Sequence, residues 1–155
     1  MNNLRAFHRT YWEQAKEQHK PELLVFVGHG LIAQENAPAH AVGLGTGHRF
    51  FGGQRDWEKI PRLCAYLRDF LAPGATIVLE SCATGADDAL AQELSKNLPG
   101  MMVIAPKYTT QSIAIGVEER PGGAMVVKPE GYGGLNGDGT VRIFRDGVVV
   151  EEKKE

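Results

Sequence analysis

The chain has 155 residues, is 43% hydrophobic and 23% charged, and carries a formal net charge of -2. These values suit one globular domain that buries enough apolar surface to need neither a disulfide nor a metal. The near-neutral charge argues against a broadly basic nucleic-acid-binding domain, and no apolar run reaches the ~18 residues of a membrane span.

Positions 4–20 predict a helix: Leu4, Phe7, Tyr11 and Ala15 recur at helical spacing, and Pro21 stops it. Leu23-Leu24-Val25-Phe26-Val27, held between Pro21 and Gly28, predicts a strand buried on both faces. Residues 31–54 read as irregular, broken by Gly43, Gly45, Gly47, Gly52 and Gly53, with 41–44 and 48–51 able to pair as short strands. Leu63, Leu67 and Phe70 share one face of a helix predicted over 57–71, with Pro61 in its first turn or at a kink. After Pro73-Gly74, Ala75–Leu79 predicts a second buried strand, Ser81 to Gly85 a turn, and 86–97 a helix with Leu90 and Leu94 inward. Asp87 and Asp88 suit the positive end of that helix dipole. Met101–Ala105, after Pro99-Gly100, predicts a third buried strand.

This alternation predicts parallel pairing with right-handed crossovers. The fold class is therefore α/β, expected as a three-layer sandwich with a mainly parallel central sheet. The segment 122–139 is glycine-rich and reads as a loop, a lid or substrate-docking element. Val141–Arg145 and Val148–Glu152 flank Asp146-Gly147, which predicts a C-terminal β-hairpin over 140–152, and Glu151–Glu155 reads as a fraying tail. The whole of 1–155 reads as a single domain with its core over 22–106.

In an open parallel sheet, ligands bind beyond the carboxyl ends of the strands. The first strand runs into Gly28-His29-Gly30 and the second into Glu80-Ser81-Cys82. On neighbouring strands, His29 and Cys82 would emerge at one edge, the arrangement a thiol nucleophile and its base require. The Gly30 and Cys82 amides would then be placed to hold an oxyanion. Tyr108, with Lys107, Thr109 and Gln111, follows the third strand and would reach the same edge.

Val-Gly-His-Gly after one apolar strand and Glu-Ser-Cys-Ala-Thr-Gly after another resemble the caspase-like cysteine peptidases. That superfamily includes caspases, metacaspases, legumain, gingipains, separase, the CHAT peptidases and toxin autoprocessing domains. The resemblance covers about 22–106. It implies a caspase-like fold, a catalytic Cys82–His29 dyad, and Gly30 and Cys82 amides as oxyanion donors. It also implies that Glu80 lines the pocket for a basic or Asn residue before the scissile bond, with Ser81 and Tyr108 as further substrate-binding candidates. The expected activity is that of a cysteine endopeptidase on peptide or protein substrates. The alternatives are an inactive caspase-like protein-binding module and a different thiol transferase or hydrolase. The family's usual strand and helix ahead of the His-bearing strand are represented here by a helix alone.

Other residues have plainer readings. Cys64 lies on a helix face beside Leu63 and Leu67 and reads as structural; His8, His19 and His40 read as solvated, and His48 as structural or at the substrate edge. No ligand pair has zinc-finger or His-Glu-x-x-His spacing, so no metal is expected. Gly43-Leu44-Gly45-Thr46-Gly47 lacks the Gly-Lys-Ser/Thr ending of a phosphate loop, so no nucleotide cofactor is expected either. Ser81 is outside a Gly-x-Ser-x-Gly elbow, which favours a thiol over a serine nucleophile. Neither nucleic acid nor membrane is expected as a partner. No apolar stretch follows Met1-Asn2-Asn3-Leu4-Arg5, so no secretory signal is expected, and the location expected is cytoplasmic or, for an effector, a host cytosol.

Overall fold

A computed structural model describes residues 20–30, 42–43, 49–50, 59–108, 110–123, 125–134 and 139–154. The helix expected over 4–20, save its last position, lies outside these residues, as do His8, His19, His40, His48 and Thr109.

The main sheet has five strands. In chain order they are β1 (Leu23–Val27), β5 (Thr76–Glu80), β6 (Met102–Pro106), β9 (Val141–Arg145) and β10 (Val148–Lys153), and they lie side by side in that order. β1, β5 and β6 are mutually parallel, β9 runs antiparallel to β6, and β10 antiparallel to β9. The sheet is therefore mixed and the fold α/β. Two helices, α1 (Ile60–Phe70) and α2 (Leu90–Lys96), form the β1-to-β5 and β5-to-β6 crossovers.

Burial follows from the sequence pattern. α1 turns Ile60, Leu63, Cys64, Leu67 and Phe70 inward at helical spacing, and Pro61 sits in its first turn, where no helical N–H partner is needed. These side chains pack with Leu90, Ala91 and Leu94 of α2 and with Phe26, Ile77, Leu79, Val103, Ala105 and Phe144 of the sheet. Each large apolar side chain buried this way contributes about 1.5–3 kcal/mol. Val78, Ile104, Val141 and Ile143 form a second buried cluster on the opposite face of the sheet.

Both described helices lie against the same face of the sheet. Two successive crossovers moving in one direction, β1 to β5 to β6, give that result when they share one hand. A doubly wound sandwich needs a reversal of direction, and none occurs between these strands. Among the described residues, no helix covers the opposite face.

Three segments depart from expectation. The glycine-rich stretch 122–139 is not a loop throughout: Met125–Gly134 forms β8, paired antiparallel along its length with β7 (Thr110–Glu119). A long partner strand supplies the ladder bonds that override the poor strand propensity of glycine, and two register shifts absorb the mismatch. α2 begins at Leu90, not near position 86, because Gly85 and Asp87 are bonded to the sheet through Pro106 and Arg142 and Asp88 takes a left-handed φ of 54°. Finally, Glu151–Lys153 belong to β10 instead of a frayed tail. The Asp146-Gly147 hairpin turn forms as expected, with φ of 51° and 82°.

Candidate active site

The parallel register aligns Val27 with Glu80, and the Gly28 N–H donates to the Glu80 carbonyl at 3.2 Å. His29 and Cys82 each stand two residues beyond this aligned pair. The chain leaves the main sheet at Gly28 and enters β2 (His29–Gly30), which pairs antiparallel with β3 (Val42–Gly43); β3 in turn pairs with β4 (Arg49–Phe50). The short strands anticipated over 41–44 and 48–51 are thus present.

The decisive contact is between backbones. A β-carbon at position 30 would collide with the Cys82 carbonyl oxygen, and would stand 2.7 Å from the carbonyl carbon and 2.9 Å from the nitrogen. Only glycine lets β2 lie against the Cys82 peptide in this way. The sheet edge that carries His29-Gly30 therefore also carries Cys82. His29 is exposed and Cys82 half-buried.

The Cys82 turn is gripped by the end of β6. The Ala83 N–H donates to the Tyr108 carbonyl at 2.9 Å, and the Gly85 N–H to the Pro106 carbonyl at 2.8 Å. A β-carbon on Gly85 would stand 2.5 Å from the Ala105 carbonyl oxygen, so this position also depends on having no side chain. The Thr84 hydroxyl donates to the Ser81 carbonyl at 2.8 Å and closes the turn internally. Ala83 holds a left-handed φ of 53°, a conformation that L-residues adopt at a cost.

The remaining candidates fall around this turn. Glu80 ends β5 and is half-buried. Tyr108 is half-buried, with the Lys107 ammonium 5.2 Å from its ring centre. Gln111 lies in β7, which rises from the same edge after Tyr108. Ser81 differs from the expectation of substrate contact: it is 2% exposed, and its hydroxyl has no hydrogen-bond partner in the structure. Alternation along the strand puts it on the covered side of the rim, which leaves almost no surface for a substrate in this conformation.

Cys64 is 0% exposed in α1, and burial pushes its thiol up to about 12. It is a packing residue, as its helix face suggests. Asp87 is not a helix-dipole residue. It lies before α2 and forms an ion pair with Arg142 at 2.6 Å.

Arg142 is the residue that sequence reasoning passed over. It is 8% exposed on β9, and it donates to Glu152 at 2.8 Å, to Asp87 at 2.6 Å and to the Gly85 carbonyl at 3.4 Å. Burial opposes its charge, but hydrogen bonds to Glu152 and Asp87 outweigh this and raise its pKa above the ordinary arginine value. The same Arg142 bond holds the Glu152 carboxyl below the usual range. The available signal was a lone charge inside the apolar run Val141-Arg142-Ile143-Phe144.

Among the described residues no group of three or more His, Cys, Asp or Glu is placed to hold a metal ion, and no helix is long and apolar enough to cross a membrane. No family model matches the chain, and no curated protein and no solved structure matches it.

Proposed function

We propose that this chain is a cysteine endopeptidase of caspase-like type, acting through Cys82 and His29. The observation that carries the reading is the fit of Gly30 against the Cys82 peptide, which brings a His-bearing and a Cys-bearing strand end to one rim. Cys82 Sγ would attack the scissile carbonyl carbon, and His29 would take the thiol proton and pass it to the departing amine. The Gly30 and Cys82 amides would receive the oxyanion. Water would then cleave the acyl-enzyme, with His29 as base. The finer architecture, a caspase-like three-layer sandwich, belongs to this proposal.

Among the described residues, β1 is the last strand on its side of the five-stranded sheet, and an extended peptide added along it would run toward the rim. Glu80, two residues before the thiol, is the residue assigned to select Lys, Arg or Asn before the cleaved bond.

Alkylation tests this first. Iodoacetamide should modify Cys82 far faster than the sealed Cys64, and His29→Ala should slow Cys82 while leaving Cys64 unchanged. Equal rates in the wild-type chain would defeat the reading. Fluorogenic peptides ending in Arg, Lys, Asn, Asp or Leu then test Glu80: preference should shift in Glu80→Gln, and unchanged preference removes its role.

One observation favours the second reading, a non-catalytic protein-binding module. Val148, Val149 and Val150 are all exposed on β10, the opposite outer strand. Bare apolar edges of this kind attract a further strand. A module of this kind would show no His29-dependent reactivity at Cys82.

A further inference from the structure

We infer that Arg142 is a positioning residue for Cys82, so that the C-terminal hairpin is part of the site. The inference rests on the reading of Cys82 as the reacting thiol.

An arginine buried in a sheet is costly unless its charge is paired. Glu152, its cross-strand neighbour at 2.8 Å, would serve as that pair on its own. Yet the guanidinium also holds Asp87 at 2.6 Å and the Gly85 carbonyl at 3.4 Å. Both belong to the segment that follows Cys82. The planar fork of arginine can grip two sides at once, which a lysine ammonium does less well.

Gly85 is the point where this grip matters. Its N–H is bound by Pro106 of β6, its carbonyl by Arg142 of β9, and its α-carbon is pressed against Ala105. Three residues upstream, the Cys82 peptide is pressed against Gly30. The turn is thus fixed from both ends, by β2 on one side and by Arg142 and β6 on the other. Behind Arg142, Lys107 lies 3.9 Å from Glu152, and the Lys107 N–H donates to the Thr140 carbonyl at 2.9 Å. These contacts tie the hairpin to the end of β6. Loosening Arg142 would let the turn slide along the rim and carry Cys82 away from His29.

The test uses iodoacetamide labelling of the full chain, followed separately at Cys82 and Cys64. Cys64 is 0% exposed, so its labelling reports general unfolding. Asp87→Asn is the main variant, because the Asp87 side chain is 83% exposed and its replacement leaves the core intact. Arg142→Met is the second. Each should slow Cys82 labelling about tenfold, within what a small misplacement near a reacting atom costs, while Cys64 labelling stays at the wild-type rate. His29→Ala should matter much less in the Asp87→Asn chain than in the wild type.

The inference is overturned if Cys82 labelling in Asp87→Asn stays within about twofold of wild type, the scatter expected of uncoupled sites. It is also overturned if slowing appears only together with faster Cys64 labelling. If Arg142→Met does not fold, Asp87→Asn decides alone. The peptidase reading fails differently, when His29→Ala leaves Cys82 labelling unchanged in the otherwise wild-type chain, and the positioning role of Arg142 then falls with it.

Discussion

Gly30 and Cys82 touch through their backbones: a β-carbon on Gly30 would reach within 2.9 Å of the Cys82 nitrogen and collide with its carbonyl oxygen. The two peptides belong to strand ends that are neighbours in the sheet but far apart in sequence. Gly30→Ala must therefore push β2 off the Cys82 turn. The expected cost is about 1–3 kcal/mol, typical of forcing a methyl group into filled space. Urea unfolding should show this loss, and selective alkylation of Cys82 should fall with it. An unchanged midpoint and unchanged labelling would mean that the contact does not set the spacing.

Ala83 follows the thiol with a φ of 53° and is 1% exposed. Glycine relieves the left-handed strain, about 1–2 kcal/mol, but loses part of that gain to its freer unfolded chain. Ala83→Gly should thus change stability by no more than about 1 kcal/mol. Ala83→Val should destabilise by about 2 kcal/mol or more, since a β-branched residue fits neither this φ nor the filled space. Paired thermal melts check the contrast, and equal effects of the two substitutions would remove the strain argument.

Cys64 makes stability fall at alkaline pH. Its folded pKa, raised to about 12, lies above that of an unfolded thiol. The unfolded chain therefore loses this proton first. The contribution is complete below the unfolded value of ~8.5 and is lost as pH rises toward about 12. Cys64→Ala should flatten urea midpoints across that window relative to wild type. Parallel curves would show that the buried thiol is not the group responsible.

Glu152 acts in the opposite direction. Its carboxyl is held below the usual range by the Arg142 hydrogen bond. Its contribution is complete above the unfolded glutamate value of ~4.3 and is lost as pH falls through the lower folded value. Glu152→Gln should lower stability at neutral pH and make the acid limb shallower. Circular dichroism melts from pH 7 to below the glutamate range measure both effects. An acid limb as steep as that of wild type would remove Glu152 as its source.

Sequence pattern alone located β1, β5 and β6 almost to the residue, because buried parallel strands are continuous apolar runs, and placed α1 and α2 with their N-terminal ends three to four residues too early. It also brought out His29 and Cys82, since polar reactive residues directly after such runs are conspicuous. It misread β8 as a loop, because glycine content is local while its pairing with β7 is not.

What only the tertiary structure decided is how the rim is built. The crowding of Gly30 on Cys82, the burial of Ser81 and the turn of Arg142 toward Asp87 all join segments distant in sequence. Periodicity reports which face of one element is apolar. It carries no information about which backbone atoms of two elements approach, and that approach is set by strand order, register and close packing.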